Sequence, residues 1–149
     1  MTEPPEPTTS LRIERTFDAP PDAVFDAWTS ADVMKRWWHA ERSWETPFAE
    51  VDLRIGGSIR VTMRDPADGT EHGGGGEYTA IDRPRRLAFT WTWDGDDESR
   101  RQLIEIEFVD HGEQTTVILT NRGVPDPEVA DHRNGWENAF HNLAEALRS

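Results

Sequence analysis

Apolar positions recur at every second residue through most of the chain. Leu87, Phe89, Trp91 and Trp93 form the clearest such run, with Ala or Thr between them. Alternation of this kind predicts a strand with one buried face. Weaker runs of the same period predict further strands at 11–18, 50–55, 58–64, 77–82, 104–108 and 115–121. The connections from the 58–64 strand onward are short, so an antiparallel meander is expected.

The spacing changes to that of a helix in two places. Pro20-Pro21 and Ser30 are expected to open two short helices after the first strand, with Trp28, Trp37 and Trp38 on them. Asp126 as N-cap and Pro127 as the first helical residue open a long helix over 127–147. Its buried face is Val129, Trp136, Phe140, Leu143 and Leu147. The order predicts an α+β fold, with a curved antiparallel sheet of about six or seven strands around the C-terminal helix.

Composition narrows the class of protein. A length of 149 residues fits one domain, and the absence of cysteine excludes disulfides, thiolate metal sites and cysteine nucleophiles. The net charge of −13 argues against a nucleic-acid partner. No apolar run reaches the roughly 20 residues of a membrane span, and no secretory signal is present, which favours a cytoplasmic protein. Residues 1–9, rich in Pro and Thr, are expected to form a disordered tail before a single domain at 10–149.

Several short motifs, in order, resemble those of the START-like (SRPBCC) superfamily. They are Val24-Phe25-Asp26-Ala27-Trp28-Thr29, Trp37-Trp38, Asp52-Leu53-Arg54-Ile55-Gly56-Gly57, Gly76-Glu77-Tyr78, Pro84-Arg85-Arg86-Leu87, Thr115-Thr116 and Gly135-Trp136. Within the superfamily the chain is similar to the branch of the C-terminal domain of the activator of the heat-shock chaperone ATPase. One departure is His39-Ala40-Glu41 after the tryptophan pair, where similar sequences have Gly-Pro.

The resemblance implies a helix-grip fold with a cavity between the sheet and the last helix. Members of the superfamily bind lipids, polyketides or other apolar molecules, and a few are cyclases or hydrolytic enzymes. The preferred hypothesis is therefore non-enzymatic binding of an apolar or aromatic small molecule, without a cofactor. The alternatives are a chaperone-interaction module of the stress response and a cyclase- or hydrolase-like enzyme. The predicted wall residues are Trp38, Met63, Tyr78, Phe89, Trp91, Ile106, Trp136 and Phe140. The oligomeric state stays open.

Polar candidates carry weaker signals. His39 and Glu41 are either a polar handle at the pocket mouth, with His39 as an acid–base group, or solvated loop residues, and the second interpretation is favoured. Arg54 either pairs with Asp52 in a turn, which is favoured, or anchors a ligand carboxylate. Glu137 and His141 have a metal-ligand spacing, but no second histidine supports it, so no metal is expected.

Glycines offer two further hypotheses. The run Gly73–Gly76 lacks the ending of a phosphate-binding loop and is expected to form a flexible hairpin or bulge. Gly135 lies inside the predicted last helix. It either allows close approach to the sheet or a ligand, or it breaks the helix.

Overall fold

The computed structural model describes residues 7–148, which form one seven-stranded sheet and three α-helices. The strands are β1 (Thr8–Phe17), β2 (Glu45–Val51), β3 (Ser58–Arg64), β4 (Glu71–Asp82), β5 (Arg86–Trp93), β6 (Gln102–Asp110) and β7 (Thr115–Pro125). The helices are α1 (Pro21–Thr29), α2 (Ala31–Trp37) and α3 (Val129–Arg148), and short 3₁₀ turns cover Glu98–Arg100 and Asp126–Glu128.

The sheet is antiparallel throughout, in the order β1-β7-β6-β5-β4-β3-β2. Strands β2 to β7 follow one another as a meander, and β1 joins at the far edge by pairing with β7, with Ile13 opposite Leu119. The helix α3 packs across the same face as α1 and α2. The predicted α+β helix-grip fold is confirmed.

The helix boundaries follow their local sequences. Pro21 occupies the first turn of α1, where its missing N–H costs nothing. The Ser30 hydroxyl accepts a hydrogen bond from the Val33 amide and caps α2. The last helix is preceded by the 3₁₀ turn that contains Pro127, so α3 begins at Val129, two residues later than predicted.

The end of the interior nearest α1 is filled with aromatic rings. Phe25 packs edge-to-face on Phe108 with ring centroids 5.4 Å apart, and Phe17 packs on Phe140 at 5.7 Å. Trp28 is fully buried among rings from α2, α3 and β6. Edge-to-face contacts of this kind add to the area that the rings bury. This packed region anchors α1 and α3 to the sheet.

The predicted bounds of one strand and of the N-terminal tail differ from those in the structure. The strand expected over 50–55 ends at Val51, and residues 52–57 form a tight turn in which Leu53 and Ile55 are exposed. The alternation of Leu53 and Ile55 with polar residues therefore does not mark a buried strand face. Of the tail expected over 1–9, residues 1–6 lie outside the described residues, whereas Thr8 and Thr9 are the first residues of β1.

The glycine run is part of a regular strand, not a flexible hairpin. Gly73–Gly76 lie in the first half of β4 and pair with β3, and Gly74 and Gly75 also pair with β5. A Cβ atom on Gly74 would lie 2.8 Å from three atoms of the Trp91 ring. The missing side chain is therefore what lets the Trp91 ring lie directly over the strand.

Candidate ligand-binding cavity

A cavity of about 510 Å³ lies at the end of the interior opposite α1. It is open to solvent and is bordered by the first half of α3, the loop after α2, the ends of β3, β4 and β5, and the segments of the two 3₁₀ turns. Its apolar walls are Trp38, Ala40, Trp44, Met63, Trp93, Trp136 and Ala139. Its polar lining is His39, Glu41, His72, Asp96, Arg100, Glu128, Asp131, His132 and Asn134. Gly135 also lines the cavity.

The predicted wall residues fall into two groups. Trp38, Met63 and Trp136 line the cavity. Tyr78, Phe89, Trp91, Ile106 and Phe140 are buried in the core instead. Trp38 separates two of them from the cavity, since its ring stacks on Trp91 at 5.5 Å and lies 6.0 Å from Phe89. The alternation of apolar residues thus predicted which side chains face the interior of the sheet. It did not predict which of them line the cavity.

Two aromatic walls were missed by sequence reasoning. Trp93 continues the alternating run of β5, and this pattern marks it as interior-facing but does not distinguish a cavity wall from the core. Trp44 lies in the loop before β2, where no periodicity marks it, and its ring stacks on His72 at 5.1 Å with an interplanar angle of 5°. The contact between Trp44 and His72 depends on how the loop before β2 packs against β4, so local sequence could not predict it.

The Trp136 ring is held in place by a buried polar chain. Its indole N–H donates to Asn121 Oδ1 at 3.1 Å, and Asn121 Nδ2 donates to Gln102 Oε1 at 2.8 Å. Both amide side chains are buried. Buried polar groups that are mutually satisfied fix one arrangement of the side chains around them. The wall on α3 is therefore positioned by β6 and β7.

The loop after α2 is fixed against α3. Asn138 Nδ2 donates to the Ala40 carbonyl at 2.9 Å, and Asn142 Nδ2 lies 3.4 Å from the Trp37 carbonyl. Gly135 lies inside an intact helix, and a Cβ atom there would approach Ala40 Cβ to 3.2 Å. The close-approach interpretation of Gly135 therefore fits the structure, and the helix-break interpretation does not.

His39 is a buried residue, so the favoured prediction of a solvated loop position was wrong. The Thr46 hydroxyl donates to the Trp38 carbonyl at 2.6 Å, and it therefore accepts a hydrogen bond from His39 Nδ1 at 3.1 Å. This arrangement leaves Nε2 as the acceptor nitrogen of the neutral ring. Burial lowers the pKa of His39, because it penalises the imidazolium form. Glu41 is exposed, as predicted.

A second histidine also contributes an acceptor. His132 Nδ1 lies 2.8 Å from the Glu128 carbonyl oxygen, which can only accept, so Nδ1 carries a proton and, in the neutral ring, Nε2 is the acceptor nitrogen. His132 Nε2 is buried and has no hydrogen-bond partner among the described residues. Both His39 and His132 are among the residues that line the cavity. Its described lining residues include no serine, threonine or cysteine that could act as a nucleophile.

Carboxylates outnumber basic side chains among the charged residues that line the cavity. Arg100 pairs with Asp96 at 3.3 Å and with Glu128 at 2.6 Å.

Arg54, the candidate anchor for a ligand carboxylate, does not line the cavity. It pairs with Asp52 at 2.8 Å in the exposed turn after β2, as the favoured interpretation predicted.

Residues 7–148 contain neither a cluster of metal-ligating side chains nor a membrane-spanning helix. No three His, Asp or Glu side chains lie close enough to hold a metal ion. Glu137 and His141 are both exposed on α3, where His141 pairs with Glu145 instead. No helix in this range is long and apolar enough to cross a membrane.

The fold and the cavity beneath its last helix define a domain of the START-like, helix-grip class. Comparison with protein families specifies it further. The chain belongs to the family described as "Activator of Hsp90 ATPase homolog 1-like protein", whose model matches residues 18–148.

Individual relatives agree with this assignment. The activator of 90 kDa heat shock protein ATPase homolog 1 of Mus musculus is 23% identical over 134 residues, which are 90% of this chain. The chain spans only 35% of the length of that relative.

Solved structures reproduce the fold almost completely. A Chromobacterium violaceum protein has a TM-score of 0.85 at 22% identity, with 95% of this chain and 99% of that chain covered. The AHSA1 protein of Silicibacter pomeroyi has a TM-score of 0.82 at 25% identity, with coverages of 94% and 98%.

Proposed function

We propose that the protein binds an apolar or aromatic small molecule in the cavity between α3 and the sheet. The observation that carries this proposal is an open volume of about 510 Å³ walled by four tryptophan rings. Small-molecule sites typically enclose about 300–1,000 Å³ with apolar walls and a few placed polar groups. The walls are Trp38, Trp44, Trp93 and Trp136, and the placed polar groups include His39 and His132.

The way the walls are fixed supports a binding role. Trp38 is stacked on Trp91, which itself lies over Gly74, and Trp136 is hydrogen-bonded to Asn121. Rings that are held before the ligand arrives lose little conformational entropy on binding.

The test is a titration of the intact protein with fatty acids, flavonoids and polyketide fragments, followed by tryptophan fluorescence and by the melting temperature. At least one class is expected to change the emission and raise the melting temperature. Asn134 is exposed on α3 at the cavity lining, so Asn134→Phe should obstruct entry and abolish the response. Glu137→Phe, also on an exposed α3 position but outside the lining, is the matched control and should respond like the unsubstituted protein. No response to any compound would refute the proposal.

A second candidate function, interaction with a chaperone, is favoured by family membership alone. The curated relatives are activators of a 90 kDa heat shock protein ATPase, and this chain corresponds to about a third of their length. A domain of net charge −13 would need a basic surface on its partner, so the interaction should weaken with salt. A pulldown with the host chaperone at low and at high salt tests it. Absence of the chaperone at low salt would rule this function out.

A further inference from the structure

We propose that the cavity selects ligands whose polar group donates hydrogen bonds and is neutral or positively charged, and that it discriminates against carboxylates. This inference rests on the proposed binding function and assigns a chemical class to its ligand. It is drawn from three features of the lining: its charge, its unpaired acceptor and its ring faces.

The charge of the lining is strongly negative. The described lining contains four carboxylates and one guanidinium, so its formal charge is −3 when the histidines are neutral. The carboxylates are those of Glu41, Asp96, Glu128 and Asp131, and the guanidinium is that of Arg100. Arg100 is engaged by Asp96 and Glu128. A ligand carboxylate entering this mouth would therefore meet unbalanced negative charge, whereas an ammonium group would be attracted.

The acceptor in the wall requires a donor. His132 Nδ1 donates a hydrogen bond to the Glu128 carbonyl, so Nε2 of the neutral ring bears a lone pair. That atom is buried and has no partner in residues 7–148. A buried acceptor without a donor is costly. His132 lines the cavity, so a ligand hydroxyl or ammonium that gains access to Nε2 would satisfy it. A carboxylate has no proton to give.

The ring faces add to the same preference. Trp93 lies against His132 with ring centroids 6.3 Å apart, and Trp136 and Trp38 form the adjoining walls at 5.5 Å from each other. Tryptophan faces attract cations, most strongly where water is excluded. The same faces stack on a flat aromatic body. An aromatic or alicyclic body bearing a hydroxyl or an amine therefore fits the whole lining.

The test uses three probes that share one body: 2-naphthylmethanol, 2-naphthylmethylammonium and 2-naphthoate. Calorimetric titration at pH 7.5 should show that the ammonium binds at least as tightly as the alcohol, because the negative lining attracts it. Naphthoate should bind at least about tenfold more weakly than the alcohol, given the charge that it meets at the mouth. Binding of naphthoate as tightly as the alcohol would overturn this inference while leaving the binding function intact. If none of the three binds but a fatty acid or polyketide fragment does, this inference fails and the binding function stands, whereas both proposals fail if no compound of either set binds.

Two variants separate the contributions. His132→Phe keeps an aromatic ring and removes the acceptor, so it should weaken the alcohol several-fold. Asp131→Asn, at an exposed position on the first turn of α3, should improve naphthoate and leave the alcohol unchanged. Glu113→Gln, exposed in the β6–β7 turn at the other end of the sheet, is the matched control for charge. Equal improvement of naphthoate by Asp131→Asn and Glu113→Gln would mean that net charge, not the lining, sets the preference, and would overturn the inference.

Discussion

The interior between the sheet and the helices has two ends that are built from similar residues but packed differently. Near α1, Phe108 contacts both Phe25 and Trp28 edge-to-face, and all three rings are buried. At the opposite end, Trp93 and Trp136 face an open volume lined by charged and imidazole groups. Aromatic content therefore does not distinguish core from site in this molecule. The two ends differ in what lies opposite the aromatic rings: other rings near α1, and charged or imidazole groups at the cavity.

The largest expected difference between the two ends is in stability. Phe25 is fully buried, so Phe25→Ala should lower the free energy of unfolding by about 3–5 kcal/mol. Trp93 is only partly buried and faces the cavity, so Trp93→Ala should cost less than half of that and should instead abolish ligand binding. Urea unfolding of both variants, with the probe titration described above, makes the comparison. Equal losses of stability would show that the cavity end is as tightly packed as the other.

The second prediction concerns the glycines that support the cavity wall. Gly74→Ala would place a Cβ atom 2.8 Å from the buried Trp91 ring, and such overpacking should cost about 1–3 kcal/mol. Because Trp38 stacks on Trp91, tryptophan fluorescence should change as well. Gly73→Ala is the matched control, since its Cβ would meet the end of the exposed Asp94 side chain at 2.6 Å, which can move aside. Similar losses for both variants would contradict the argument.

The filled end could be predicted from the sequence. Alternation along β5 and β6 marks buried positions whatever covers them, and helical spacing places Phe140 on the inner face of α3. The same signal cannot separate wall from core, because Phe89 and Trp93 lie on one face of one strand and differ only in what lies opposite. That depends on how α2 and α3 dock on the sheet.

The polar lining could not be predicted for a different physical reason. His72 and His132 are 60 positions apart and share no motif. Both line the cavity because β4 and α3 border the same opening. The burial of His39 depends on Thr46 and Trp38, which form a hydrogen-bonded pair only once the loop after α2 is folded back. Local patterns report burial of apolar faces, whereas these polar contacts depend on tertiary packing.

A third prediction concerns a buried polar group in the core. The Tyr78 hydroxyl is buried, has no hydrogen-bond partner among the described residues, and its pKa is raised by burial. Removing an unsatisfied buried group without changing the packing is favourable, so Tyr78→Phe should stabilise the protein by about 1 kcal/mol. The converse change, Phe89→Tyr, adds a hydroxyl to a fully buried ring that lies 5.9 Å from Tyr78, and it should destabilise. Thermal unfolding measures both, and a loss of stability in Tyr78→Phe would show that the hydroxyl has a partner.

The smallest expected effect is a pH dependence that belongs to the cavity end. Burial holds the pKa of His39 below its ordinary value of 6.5, so the unfolded chain binds a proton at a higher pH than the folded protein does. The contribution of His39 to stability is therefore complete above about pH 7 and falls progressively as the pH drops through 6.5 toward the folded pKa. Melting temperatures between about pH 7.5 and 5.5 should decline more for the unsubstituted protein than for His39→Gln. His141→Gln, at an exposed histidine on α3, is the control and should keep the full decline. If His141→Gln removes the decline and His39→Gln does not, the buried imidazole is not its source.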